Sequence, residues 1–174
     1  MSDADRVKWD PRYISGEMPR RTHPSEVLDH WLDRIGPGAG RAALDLACGR
    51  GRNALRMAAA GFAVDAVDIS SAALAQGEAD ATVAGLAINW VEQDLDQGPL
   101  PGDRYAVIMV ARFHARNTVP WLIDALADDG YEDFLVIETH LNVRPDVFER
   151  SDGGGSELEA NTRRNLDFLR ACLA

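Results

Sequence analysis

The chain has 174 residues, 46% hydrophobic and 26% charged, which suits one domain built around one core. Its formal net charge of −10, from 28 acidic against 18 basic residues, argues against a nucleic-acid partner, because phosphate contacts need a basic face, and Arg20–Arg21 and Arg163–Arg164 are too short to reverse the balance. No apolar run nears the roughly 18 residues of a membrane span, MSDADRVKWDPRY carries no secretory pattern, and Cys48 and Cys172 are too few and too distant for a disulfide framework, so the expectation is a cytoplasmic protein with a small-molecule partner and no membrane partner.

In chain order, the segment from Met1 to His23 has little periodicity, with Trp9, Pro11, Tyr13, Gly16 and Pro19 scattered through it. Pro24 through Ile35 reads as a helix, with Val27, Leu28, Trp31, Leu32 and Ile35 on one face and GPG as its stop. Short apolar runs then alternate with helical patterns. The runs are Ala42–Ala47, Ala63–Asp68, Ala87–Glu92, Tyr105–Ala111 and Phe134–Thr139. Between them lie Asn53–Ala60, Ser71–Ala84 and Val119–Ala127, each followed by a glycine that can end a helix. Strand–helix alternation of this kind predicts parallel strands joined by right-handed crossovers. The fold class expected is α/β: a Rossmann-like, doubly wound, mostly parallel sheet of about five strands with helices on both faces. We read residues 1–174 as one domain, with a lid and helix over 1–35, a core over 42–139 and a short loop-and-helix tail over 140–174. The tail begins beyond Thr139 and holds the link Ser151–Glu157 and an apolar stripe of Leu158, Leu166, Leu169 and Leu173.

In a sheet of this type the ligand lies beyond the carboxyl ends of the strands. The first strand runs into ALDLACGRGRNAL, where Gly49 and Gly51 let backbone amides approach a ligand at the amino end of the next helix. GRGRNA also satisfies the dinucleotide fingerprint G-x-G-x-x-A. Asp45 separates the two readings. A carboxylate beneath the loop disfavours a pyrophosphate and favours a cofactor that carries an amino group and a sulfonium cation; the alternative is that Asp45 only accepts hydrogen bonds from loop amides. Asp68 ends the second strand at about the interval of roughly 20 residues where an acid grips ribose hydroxyls, or else it caps the helix beginning SSAAL, a role open equally to Ser70 or Ser71. Asp94, after the third strand, can accept from an adenine amine with Leu95 against the ring; Asp96 competes for that role, and either acid can be a plain loop carboxylate.

Asp45, the GRG turn, Asp68 and Asp94, each beside a successive strand end, resemble the motif series of class I S-adenosylmethionine-dependent methyltransferases. RTHPSEVLDHWL followed by LDLACGRGRNALRMAAAGFAVDAVDIS is most similar to the bacterial tellurite-resistance methyltransferases and the related thiopurine methyltransferases. The resemblance implies S-adenosylmethionine as cofactor and S-adenosylhomocysteine as product. It implies that Asp45, Ala47, Gly49 and Gly51 border the methionine end, that Asp68 meets the ribose with Ile69 against the adenine, and that Asp94 and Leu95 meet the adenine edge. Ala111 and Arg112 would border the sulfonium and the acceptor, under a lid carrying Trp9, Tyr13, Arg21, Thr22 and His23. Ala47 departs from the glycine common at its position. The short tail departs from the antiparallel strand pair that ordinarily closes the sheet, so that pair is expected to be missing.

Methyl transfer to a thiolate or to a tellurium or selenium oxyanion needs positioning more than a strong base. Arg112, Arg116, His114, His23 and His140 are candidates to bind an oxyanion or move a proton, with His23 and Arg112 ranked first; no metal site is read. The function expected is methyl transfer to a small soft nucleophile, the alternative a binding module or partner subunit without an acceptor site. A sheet ending at Phe134–Thr139 leaves an exposed edge, to be covered either irregularly by the residues around Leu141–Phe148 or by a homodimer through that edge or the tail, of which the dimer is the further expectation.

Overall fold

The computed structural model describes residues 3–95, 97, 99, 101–102, 105–111, 113 and 134–138. In chain order the elements are α1 (Asp3–Ile14), α2 (Glu26–Ile35), β1 (Ala42–Leu46), α3 (Arg52–Ala59), β2 (Ala63–Asp68), α4 (Ser71–Ala84), β3 (Ile88–Glu92), β4 (Val107–Ala111) and β5 (Phe134–Glu138). The strands form one parallel sheet of order β3-β2-β1-β4-β5. Chain order reverses between β1 and β4, and the carboxyl ends flanking that crevice are Leu46 and Ala111.

The expected strand runs and the helices around Asn53–Ala60 and Ser71–Ala84 are present. Ser70 starts α4 by accepting a hydrogen bond from Ala73 N at 3.1 Å, and Gly85 ends it in the left-handed conformation at φ 67°. The expected helix over Val119–Ala127, the tail from residue 140 onward and the fate of the C-terminal strand pair lie outside the described residues.

Side chains along the strands alternate between two buried faces. Ala43, Val64, Ala66, Val107 and Met109 pack with Leu28 and Leu32 of α2 and Ala54 and Met57 of α3. Leu44, Leu46, Val67, Ile108 and Val110 form the opposite cluster with Leu95 and Tyr105. Burial on both faces explains why β1 reads as an almost unbroken apolar run, and truncating a fully buried residue such as Leu44 to Ala carries a cost of about 2–5 kcal/mol. Asp45, only 1% exposed, interrupts that run at its far end.

The stretch before His23 departs from the irregular segment expected. Residues 3–14 form α1, which contains Pro11 and no strong apolar face. It is anchored from outside: Asp10 Oδ1 accepts from Ser70 Oγ at 2.6 Å and from Ala72 N at 3.3 Å, Gln76 Nε2 donates to Tyr13 O at 3.0 Å, and Arg6 pairs with Glu92 at 3.0 Å. These partners belong to α4, its capping residue and β3, so periodicity within the segment itself could not reveal the helix.

Candidate active site

The turn after β1 uses three departures from right-handed backbone, at alternate residues. Ala47, Gly49 and Gly51 have φ of 52°, 56° and 70°. For Gly51 a β-carbon would also collide with the Trp90 ring, and at Gly49 it would lie 2.6 Å from Tyr13 Oη. The same Trp90 edge lies 2.6 Å from where a β-carbon of Gly77 would be. Trp90 is therefore wedged under the loop between two glycines and sets its height. Ala47 holds its left-handed backbone with a side chain, a strain of about 1–2 kcal/mol.

Gly51 is also the N-cap of α3, and a glycine has no side chain with which to cap. Asp45 supplies the missing acceptor from the strand: its Oδ2 accepts from Ala54 N, in the first turn of α3, at 2.9 Å. Its other oxygen, Oδ1, is buried with no hydrogen-bond partner among the described residues. Burial raises the Asp45 pKa to about 7, against the lowering influence of the Ala54 amide and the Arg52 guanidinium; Asp68 adds to the rise. Hydrogen bonding to a helix amide, the plainer alternative for Asp45, thus accounts for one oxygen and leaves the other available.

Asp68 spreads its two oxygens across two turns. Oδ2 accepts from Gly49 N at 2.7 Å and Oδ1 from Ser70 N at 2.9 Å. Burial raises its pKa, opposed by those amides. Ser70, not Asp68, caps α4 with its side chain, which leaves Asp68 as a brace between the glycine loop and the α4 turn. Beside it, burial pushes the Tyr13 phenol up to about 12, and the Cys48 thiol is likewise raised by burial, so Cys48 stays a neutral space-filling group near neutral pH.

These groups line one cavity of about 380 Å³. It brings together Asp45, Ala47, Gly49, Asp68 and Ala111 from the expected set, with Trp9, Tyr13 and Arg21 from the N-terminal segment. Gly51, in the same loop, packs against Trp90 and is not part of the cavity lining. Ile69 and Leu95 are buried, at 1% and 0% exposure, and neither they nor the half-buried Asp94 line the cavity. His23 is exposed and lines an adjoining cavity of about 480 Å³. Arg112, His114, Arg116, His140 and Asp96 lie outside the described residues.

Besides Met18, Pro19, Arg50 and Phe113 of the lining, sequence reading missed three further contributors. Asn53 is 3% exposed and its Oδ1 accepts from Ser25 N at 2.8 Å, tying the start of α2 to α3. Arg52 lines both cavities. Trp90 supports the loop from β3. Position in the first turn of a helix behind a glycine loop was the one available signal for Arg52 and Asn53; nothing local marked Trp90.

Residues 43–128 match the methyltransferase domain family. No curated protein matches the chain. Among solved structures, the chain is similar to one reported under the conversion of a disulfide bond into a thioacetal group during echinomycin biosynthesis, at 26% identity and TM-score 0.57, covering 70% of this chain and 55% of that one. It is also similar to magnesium protoporphyrin IX methyltransferase from Synechocystis with bound SAM, at 17% identity and TM-score 0.56, covering 72% and 70%. A third is a TehB-like SAM-dependent methyltransferase from Corynebacterium glutamicum, at 20% identity and TM-score 0.52, covering 74% and 71%. The chain spans about half the length of the first of these, 55%. The sheet and its surrounding helices have the Rossmann-like methyltransferase fold.

Proposed function

We propose that this chain is an S-adenosylmethionine-dependent methyltransferase acting on a small, soft nucleophile, a thiolate or a selenium or tellurium oxyanion, in the manner of the tellurite-resistance and thiopurine methyltransferase group. The observation that carries the reading is Asp45 Oδ1, a buried carboxylate oxygen without a partner among the described residues, on a residue that lines the cavity at the sheet's switch point. An orphaned buried acceptor of this kind is costly unless a ligand supplies a donor, and a cationic donor most of all. A dinucleotide would bring pyrophosphate to the loop instead, and the carboxylate would repel it.

When bound, S-adenosylmethionine supplies an electrophilic methyl group on a sulfonium. The chain's own residues hold and enclose that group. Asp45 accepts from its amino group, and the amides of the glycine loop and the amino end of α3 face its methionine end. Asp68 accepts from ribose hydroxyls, exchanging or sharing its present bonds to Gly49 N and Ser70 N. Ile69, Asp94 and Leu95 border the adenine in this reading; for the two buried apolar residues that requires side-chain movement. Trp9 and Tyr13 cover the cavity and exclude water, while Ala111 and Phe113 bound it at the end of β4. His23 and Arg112 remain the residues proposed to meet the acceptor.

Thermal shift with S-adenosylmethionine, S-adenosylhomocysteine and NAD tests the cofactor, and acceptor-dependent S-adenosylhomocysteine production across thiols, selenite, tellurite and small heterocycles tests the reaction. Stabilisation by the first two ligands and not by NAD, with turnover on a soft acceptor, is the expected result. Stabilisation by NAD alone overturns the reading. Cofactor binding without turnover on any of the panel favours the binding-module alternative.

A further inference from the structure

Beside the cofactor cavity lies a second one, and the two share Arg21 and Arg52 as a common wall. Its lining runs from Arg20 through Val27 and adds Arg52. In a chain of net charge −10, this wall holds three arginines and His23 against one acid, Glu26. Arg20 is engaged with Asp80 at 2.6 Å. Arg21 makes no ion pair among the described residues, and Arg52 directs Nη1 to His23 O at 3.2 Å.

The floor of this cavity is the amino end of α2, ten residues long. Its N-cap, Ser25, has extended backbone and makes no side-chain capping bond, so the first-turn amides lack a side-chain cap, with Glu26 and Asp29 the acids of that turn. Ser25 itself is 3% exposed, lines the cavity, and its Oγ has no partner among the described residues. Asn53 fixes the backbone of Ser25 from behind. A buried hydroxyl without a hydrogen-bond partner and an arginine without an ion pair among the described residues, and a helix start without a side-chain cap, all belong to residues that line one space, and each is satisfied by the same chemistry: anionic oxygens.

We infer that this second cavity binds the anionic oxygen group of the methyl acceptor, a carboxylate or an inorganic oxyanion, and so holds the acceptor against the cofactor cavity across the Arg21–Arg52 wall. The inference rests on the cofactor reading above and adds the acceptor's charge to it. The carboxylate of the cofactor is the competing source of the same chemistry.

Amide chemical shifts of the full chain, titrated with selenite and separately with acetate in thiol-free buffer, distinguish these sources when run with and without saturating S-adenosylhomocysteine. The expected result is a saturable response at Ser25, Glu26 and Val27 that persists with S-adenosylhomocysteine bound. Arg21→Ala should weaken the anion about tenfold, the loss of one charge-assisted contact, with a smaller effect on S-adenosylhomocysteine affinity. Glu26→Gln should strengthen it, a gain that a merely structural disturbance would not produce. A response abolished by S-adenosylhomocysteine assigns the site to the cofactor's own carboxylate and overturns the inference. So does S-adenosylhomocysteine binding with no saturable response to either anion. Failure of S-adenosylhomocysteine to bind at all removes the cofactor reading, and this inference with it.

Discussion

The turns after β1 and after β2 solve one problem in opposite ways. Both pass from a parallel strand into a helix beside an acid, Asp45 in the first and Asp68 in the second. At the second turn Ser70 caps α4 by itself. At the first, close approach of the loop requires Gly51 at the cap, and the helix must borrow an oxygen from the strand. Asp45 is consequently drawn fully inside, with one oxygen used and one not, whereas Asp68 uses both oxygens to brace two loops. A glycine held against Trp90 at the cap thus hands the capping to a residue six positions earlier in the chain.

Several substitutions can break or sharpen that contrast. Asp45→Asn keeps an acceptor for Ala54 N and removes the charge, so its effect should fall on the ligand: S-adenosylmethionine affinity drops by about 1.5–3 kcal/mol in isothermal titration while folding is retained. Asp68→Ala should cost about the same affinity and additionally lower stability, since Gly49 N and Ser70 N lose their acceptor. Equal stability losses in the two variants would erase the distinction between a borrowed cap and a brace.

Protonation gives a second test. The unfolded chain releases the Asp45 proton near 3.8 and the folded chain near 7. Between those values the folded state holds a proton that the unfolded state has lost, so this group's contribution to stability falls as pH rises across the window and is constant above it. Urea unfolding at pH 5 and pH 8 should show a larger loss for the natural chain than for Asp45→Asn. Affinity for a cationic ligand runs the other way: it should rise as pH passes through about 7, with proton release on binding, and the Asn variant should be flat.

The support beneath the loop comes next in size. Gly→Ala in an ordinary helix interior stabilises, but at Gly77 the added carbon would lie 2.6 Å from Trp90 Cη2 and 2.8 Å from Arg50 O. Gly77→Ala should therefore destabilise by about 1–3 kcal/mol, read as a lower urea midpoint. Smallest is Ala47→Gly, where relief of left-handed strain is offset by the greater freedom of an unfolded glycine. A gain within about 1 kcal/mol is expected, and a clear loss would mean that the Ala47 side chain contributes packing worth more than its strain.

Much of this was legible from sequence wherever local chemistry decides. β2 and α4 begin and end where Gly61, Ser70 and Gly85 predict, and the sheet's five runs follow from apolar stretches of the right length. The acids at the strand ends were legible for the same reason. Which neighbours face the cavity was not: Ile69 and Leu95 follow Asp68 and Asp94 in sequence, yet both are buried outside the cavity lining, and Asp94 does not line it either. Gly51 reads as a ligand-facing glycine, but the atom that forbids a side chain there belongs to Trp90, 39 residues downstream. Helix α1 was illegible because every bond that anchors it comes from elsewhere.

That last feature has a kinetic consequence. Asp10 reaches Ser70 and Ala72 across sequence separations of 60 and 62, and Gln76 reaches Tyr13 across 63. Until β2 and α4 exist, α1 has nothing to dock on, and a twelve-residue helix with an internal proline does not persist alone in water. It should be the last element to form and the first to exchange its amide hydrogens, opening as a unit without unfolding the sheet. Because Trp9 and Tyr13 ride on that unit and line the cavity, the last docking step of folding and the opening that admits a ligand should be the same motion.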